Sequence, residues 1–338
     1  MAVIGNSYLS LIDLYKRTGA NREMVPVIEA LNQINPLGED AVYVECNQGT
    51  KHLSTIRTGL PAVTWGKLYQ GIPQSKSTTQ QVEDTTGFVE GLSTVDERLL
   101  KISKNPAALR MSEAQPFLEA MAQDVQTNFF YSNTTTTPEK FKGLGARYNA
   151  LSNPQVVNGA GSGSDNTSIW FVTWGEMQTA LIYPEGTAAG VQREDKGSQR
   201  VLDANGLAYY AKEEYFAQHV GVTVRDYRFN ARIANIDVSN AIAGSVDVYD
   251  LMTSAYYQMQ NRRNANVKNG GMVNVGKTVI YMNRTMLSVL DRLATNNGST
   301  DNYIRMKTTE IEGREIQTWR GLPIRETDAI LNTETVVS

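Results

Sequence analysis

Residues Gly271-Met272-Val273-Asn274-Val275-Gly276-Lys277-Thr278 satisfy G-x-x-x-x-G-K-T, the spacing of a loop that cradles nucleotide phosphates. That chemistry needs a strand before the loop and a helix after it, so that backbone N–H groups and a helix N-terminus face the anion. Here the polar run NRRNANVKNGG precedes the loop and the strand-like TVIYM follows it. The context is inverted, and a P-loop nucleotide-binding enzyme using 271–278 stands only as the alternative function. His219 near Asp226 offers the base and orienting carboxylate of a hydrolytic triad, but no Gly-x-Ser-x-Gly elbow supplies the nucleophile, and a structural histidine is the better reading. Cys46 lies beside Glu45 with no neighbouring cation to lower its pKa, so it reads as an inert thiol. One cysteine excludes an intrachain disulfide and a Cys-rich metal site, and two distant histidines, His52 and His219, make a poor start on a His-based one. No catalytic residue, metal or cofactor is expected.

The 338 residues carry 32 basic and 35 acidic side chains, a formal net charge of -3 that rules against binding nucleic acid through a polybasic field. Arg262, Arg263 and Lys268 form the one local basic cluster, and it reads as a solvated helix end. The segments Tyr227-Arg228-Phe229 and Trp319-Arg320 read as strand-face packing rather than base-stacking platforms. The longest near-apolar stretch, Ile169 to Trp174, is far shorter than the roughly 18 residues of a membrane span, so no membrane partner is expected. At the N-terminus, Asp13 interrupts the apolar stretch and no cationic lead precedes it, so no signal peptide is expected. With 41% hydrophobic residues the chain can bury one or two cores. Its 31 threonines and 26 asparagines tilt the surface towards neutral polar groups, which large interfaces tolerate better than charge.

The elements that must position these groups follow from periodicity. Residues 1–45, broken by Pro26, Pro36 and Gly38, read as an arm carrying a short helix or two. From Gly49 to Thr94 a Ser/Thr/Gly-rich stretch alternates like strand, with a turn expected around Gly71-Ile72-Pro73, and suggests a long two-stranded arm. The first limb, 48–77, carries Lys51, Arg57, Lys67 and Lys76 and no acid; the second, 78–98, carries Glu83, Asp84, Glu90, Asp96 and Glu97 against Arg98. Opposite limbs can pair across strands at about 0.2–1 kcal/mol per pair, but a lone hairpin is marginal in water and should be ordered only against another surface. Ser112 and Gln115 have capping-box spacing and open an expected helix over 112–131, with Pro116 in its first turn and Phe117, Met121 and Val125 along one face. GAGSGSDN (159–166) reads as a connection. SIWFVTW, ALIY and GVTVRDYRFNARIANIDV read as strands, followed by helices near Asp247–Gln260 and Thr285–Ala294 around the strand Val279–Met282. The fold class is α+β.

The succession LIDLYKRTGANREMVPVIEALNQIN, STIRTGLPAVTWGKLYQGIPQSKSTTQQVEDTTGFVEGLSTVDE, FLEAMAQDVQTNFFYSN, PEKFKGLGARYN, GSDNTSIWFVTWG, YPEGTAAG and VRDYRFNARIANID covers almost the whole chain. It resembles the major capsid proteins of tailed double-stranded DNA phages, in particular those of the short-tailed group, with the HK-97-type (Johnson) fold. The resemblance implies an N-terminal arm (1–45), an extended E-loop (46–96), a P domain on a long spine helix (97–240) and an A domain (241–338). It implies a structural protein of the virion, assembled in the host cytoplasm from copies of itself as pentamers and hexamers of an icosahedral shell enclosing the genome. Portal, scaffolding and decoration (cement) proteins and non-specifically contacted DNA are the other implied partners. The residues expected to meet a neighbouring subunit are Arg57, Trp65, Lys67, Lys76, Glu83 and Asp84, with Trp65 as anchor and the charges flanking it.

One departure stands out. Segments resembling Ile280-Tyr281-Met282-Asn283 and Gly321-Leu322-Pro323-Ile324 ordinarily precede the long P-domain strands, yet here they come last. This suggests a circularly permuted order. On that reading Val279–Met282 and Leu322–Ile324 share one sheet under the last two helices, Val222–Ile236 pack beside the spine helix, and the chain crosses from P to A domain once, near 239–244.

Overall fold

The computed structural model describes residues 9–17, 33–203, 205–260, 276–295, 307–311 and 314–338. In chain order the elements are α1 (Leu11–Lys16), α2 (Leu37–Asp40), β1 (Tyr43–Glu45), β2 (Lys51–Gly59), β3 (Thr78–Asp96), α3 (Glu97–Ile102) and α4 (Pro106–Tyr131). Next come β4 (Val156–Asn158), β5 (Asn166–Trp174), β6 (Thr179–Tyr183), β7 (Gln192–Leu202), β8 (Ala208–Val224), a 3-10 turn (Tyr227–Phe229) and β9 (Ala231–Asp237). The chain ends with α5 (Val238–Ala243), α6 (Val248–Gln258), β10 (Lys277–Met282), α7 (Arg284–Thr295), β11 (Lys307–Ile311), β12 (Arg314–Trp319) and β13 (Leu322–Glu326). Residues 1–33, 88–126 and 188–220 form one compact unit; 34–87, 127–187 and 221–338 form the other. α4, β3 and β8 run from one into the other along the chain.

The larger unit holds a sheet in the order β11-β12-β13-β10-β5-β6-β8-β3-β2, with β9 also on β5, β4 on β9 and β1 on β6. β5 is buried at every position because both faces are covered. On one face Ile169, Phe171, Ile233, Ile236, Ile280 and Ile324 pack against Val248, Met252 and Ala255 of α6 and Met286, Val289 and Leu290 of α7. On the other, Phe129 and Phe130 of α4 meet Trp174 and Trp170, with ring centroids 5.4 and 6.0 Å apart. α6 starts where Asp247 caps the N–H of Asp250, 3.1 Å. As expected, β10 and β13 are neighbours, paired in parallel through Ile280 and Ile324.

Three expectations are corrected in this unit. Val222–Ile236 is not one face beside the helix: the 3-10 turn splits it, and β9 enters the sheet between β4 and β5, in the same core as α6 and α7. The last passage from one unit to the other falls between Val220 and Gly221 rather than at 239–244, and the chain then stays in the larger unit to Ser338. Glu334 accepts from Tyr131 Oη at 2.6 Å, and the Leu331 N–H donates to the same phenol oxygen at 2.9 Å. Nor is 34–45 an arm, since β1 pairs with β6 and the Asp40 carboxylate is fully buried among Lys277, Arg325 and Tyr281. Local pattern favoured those readings; long-range pairing and buried charge overrode them.

In the smaller unit the first part of α4 lies against Val89–Val95 of β3 and against β8. Met121 and Phe117 pack on Phe216, and Leu14, Val95, Leu99, Leu100 and Leu109 form a second cluster. α4 begins at Pro106, not Ser112: the Asn105 side chain accepts from the Ala108 N–H at 3.1 Å, and Pro106 occupies the first helical position, where its missing N–H costs nothing. Pro116 is therefore inside the helix rather than in its first turn, and Ser112 accepts from Arg17 instead of capping. Arg110 holds Glu214 at 2.6 Å and Asp195 at 3.0 Å, tying α4 to β8 and β7.

Candidate assembly interface

β2 and β3 pair antiparallel from Lys51↔Thr85 to Gly59↔Thr78, with a register shift between Arg57 and Gly59. A Cβ on Gly59 would lie 2.6 Å from Thr78 Oγ1, so a larger residue there would have to turn that hydroxyl aside. Beyond that pair, residues 60–77 leave the ladder. The chain reverses at Lys67–Gln70, where the Gln70 N–H donates to the Lys67 carbonyl at 3.2 Å and Tyr69 takes a left-handed φ of 64°, a few residues earlier than the turn expected at Gly71–Pro73. Ser75 Oγ donates to the Ala62 carbonyl at 2.6 Å across the tip.

The tip places its apolar side chains in solvent. Leu60, Val63, Trp65, Leu68, Tyr69 and Ile72 are 81–107% exposed, with Trp65 at 96%. Arg57, Lys67 and Lys76 are exposed around them, and among the described residues none has an ion-pair partner. A patch of large apolar groups ringed by cations is unusual on the surface of a lone soluble chain.

The base of the hairpin is built differently. Asp84, expected at the subunit boundary, is a correction: its side chain is 3% exposed and receives Arg147 at 2.8 Å, inside its own protomer. The same Arg147 nitrogen donates to the Val222 carbonyl at 2.9 Å, fastening β3 to the end of β8. Burial forced this, because a carboxylate facing inward must find a cation. Glu83 forms a cross-limb ion pair with Lys51, the one such pair among the described residues. Opposite Asp84, buried His52 stands with Nε2 2.8 Å from Arg225 Nη2. The guanidinium can only donate, so Nε2 accepts and the imidazole is neutral. Burial first, and then the Arg225 charge, lower its pKa, while Asp84 opposes them. Arg147 and Arg225 were missed from the sequence because neither lies near the hairpin in the chain; the buried partner at position 84 was the available signal.

The enzyme-like residues have structural roles. Gly271–Val275 lie outside the described residues, but Lys277 opens strand β10, not a helix, and its Nζ is 3.0 Å from Asp40. His219 stacks on Phe88 with ring centroids 4.2 Å apart. Asp226 caps the 3-10 turn through the Arg228 N–H. Gly161 is pressed onto Asn235, whose carbonyl accepts its N–H at 2.7 Å, so 159–166 is a packed connection. Burial and Glu45 push the Cys46 thiol up to about 11, which keeps it protonated and inert. Trp319 is buried against Phe171, while Arg320 lies over Trp319 and Tyr256. The basic cluster Arg262, Arg263 and Lys268 lies outside the described residues. No helix among the described residues is long and apolar enough to cross a membrane.

Comparison with known proteins bears on this hairpin-bearing α+β fold. The chain matches a chain of the bacteriophage Epsilon15 structure at 35% identity and a TM-score of 0.76, covering 100% of both. More distant matches include the SrpI encapsulin of Synechococcus elongatus at 11% identity and TM-score 0.44, covering 68% of this chain and 97% of that one. Another is Microbacterium phage Oxtober96, at 10% identity and TM-score 0.44, covering 67% and 98%. The search of curated proteins finds no match. The family model for Major capsid protein GP7 matches residues 19–338. A coat protein is structural rather than catalytic, and its copies assemble into the icosahedral shell of the virion; with the match spanning nearly the whole sequence, the chain belongs to the GP7 major capsid protein family of tailed phages.

Proposed function

We propose that residues 46–96 are the E-loop of this coat protein and that the tip docks on a neighbouring copy, with Trp65 as anchor and Arg57, Lys67 and Lys76 steering it. One observation carries the reading: six large apolar side chains on a single tip are 81–107% exposed. Leaving them in water forgoes about 1.5–3 kcal/mol per side chain, which a second subunit can recover. Glu83 stays with Lys51 at the rim, and Asp84 serves the base.

The same reading assigns a P domain to 97–240 and an A domain to 241–338, amended by the tail after Glu326, which packs at the end of α4. It keeps the N-terminal arm to residues before 34, because β1 belongs to the sheet. Capsomers are pentamers and hexamers, built in the host cytoplasm with scaffolding and portal proteins and covered by a decoration protein. DNA is met without sequence readout, in keeping with a net charge of -3. Deleting Pro61–Lys76 tests the reading. The protein should remain folded, with an unchanged circular dichroism spectrum, and should fail to form shells in electron micrographs. Normal shells from the deletion would overturn it.

A further inference from the structure

The receiving surface for the tip can be sought on the same chain. In the smaller unit β3 shows two unlike faces. Val89, Gly91 and Val95 turn to α4, and a Cβ on Gly91 would come within 2.9 Å of Phe117. Phe88, Glu90 and Leu92 alternate to the opposite face and stay partly open to solvent: His219 of β8 stacks on one side of the Phe88 ring at 4.2 Å, yet Phe88 is 44% and Leu92 49% exposed. β8 extends this face, because Tyr215 Oη donates to Glu90 at 2.8 Å and Thr94 Oγ1 to Glu213 at 3.5 Å. These partners are neutral hydroxyls, and among the described residues no cation neutralises Glu90 or Glu213. Glu194, also on this side, is paired with Lys196, which lies over the Tyr215 ring.

The face is thus apolar and anionic where the tip is apolar and cationic. From these complementary surfaces we infer that the outer face of β3 and β8, centred on Phe88, Leu92, Glu90 and Glu213, is the seat for the hairpin tip of a second copy. The inference rests on the E-loop reading. Each limb of the tip beyond Gly59 and Thr78 holds nine residues and reaches about 30 Å when extended, enough to cross to an adjacent subunit. Rings of the tip cover Phe88 and Leu92, while Lys67 and Lys76 meet the Glu90 and Glu213 carboxylates, which hold only neutral hydroxyls among the described residues of their own protomer. Such opposite potentials fix register and exclude wrong partners more than they add affinity.

Zero-length carbodiimide cross-linking of native shells, assembled from a mixture of isotopically light and heavy protein, tests this without any substitution. Mass spectrometry should find mixed-isotope peptides joining Lys67 or Lys76 to Glu90 or Glu213. Joining of the tip lysines to other acids, such as those on α4, or to a decoration protein, would overturn the seat while leaving the E-loop reading intact. Tip lysines that join no other subunit, together with normal shells from the Pro61–Lys76 deletion, would overturn both. A charge exchange gives a second measurement. Lys67→Glu with Lys76→Glu should raise the critical concentration for assembly, and adding Glu90→Lys with Glu213→Lys should bring it back. If the fourfold variant assembles worse than the double one, the seat is wrong.

Discussion

Trp65→Ala separates folding from assembly. At 96% exposure the indole touches almost nothing in its own protomer, so the substitution should leave the unassembled protein's thermal midpoint unchanged. Seated on a neighbour, a tryptophan removes about 150–250 Å² from water, which at ~25 cal/mol per Å² is about 4–6 kcal/mol. Part of that gain is offset by ordering the tip, and truncation of an interface anchor typically reads as about 2–4 kcal/mol. With tenfold per 1.4 kcal/mol, and one tip donated per subunit, the critical concentration for shell formation should rise about 30- to 700-fold. Lys67→Glu should have a smaller effect, because an exposed ion pair is worth about 0–1 kcal/mol. Light scattering against protein concentration, with electron microscopy of the products, measures both. An unchanged critical concentration for Trp65→Ala, or a loss in the unassembled protein's stability equal to the loss in assembly, would refute the reasoning.

Two further outcomes concern the fold behind the hairpin. Arg232 and Glu334 form a buried pair at 2.8 Å, with the guanidinium 4.8 Å from the Trp170 ring; Glu334→Ala strands a buried charge and should cost about 3–5 kcal/mol in urea unfolding, while adding Arg232→Met should reduce that loss. A double variant less stable than the single one would contradict this. Because the native pKa of His52 lies below its ordinary 6.5, the unfolded chain binds a proton there before the native protein does, so stability falls as pH drops from 6.5 towards the native value. His52→Gln should remove that part of the slope between pH 7.5 and 5.5, and parallel profiles for the two proteins would show that His52 does not titrate as argued.

Much of this protein was legible in the sequence. Apolar residues at helical spacing marked α4, α6 and α7; β-branched and aromatic runs marked β5, β6 and β10; and the Ser/Thr/Gly-rich, charge-split stretch marked the hairpin. These are short-range signals, set by side-chain period and turn chemistry. The strand-like run after Lys277 was also legible, and β10 begins at that residue. The tertiary structure decided which faces those elements present to one another. Asp84 and Glu83 are adjacent and chemically alike, yet one is buried against Arg147, more than 60 residues away, and the other lies at the rim with Lys51. The period of a strand places the two on opposite faces, but only the packed neighbours say which face is inside. Likewise, nothing local in Glu334 announces Arg232, Tyr131 and Ser168 as its partners. A buried carboxylate is satisfied by whatever the fold brings near, so its role is written in long-range pairing rather than in the residues beside it.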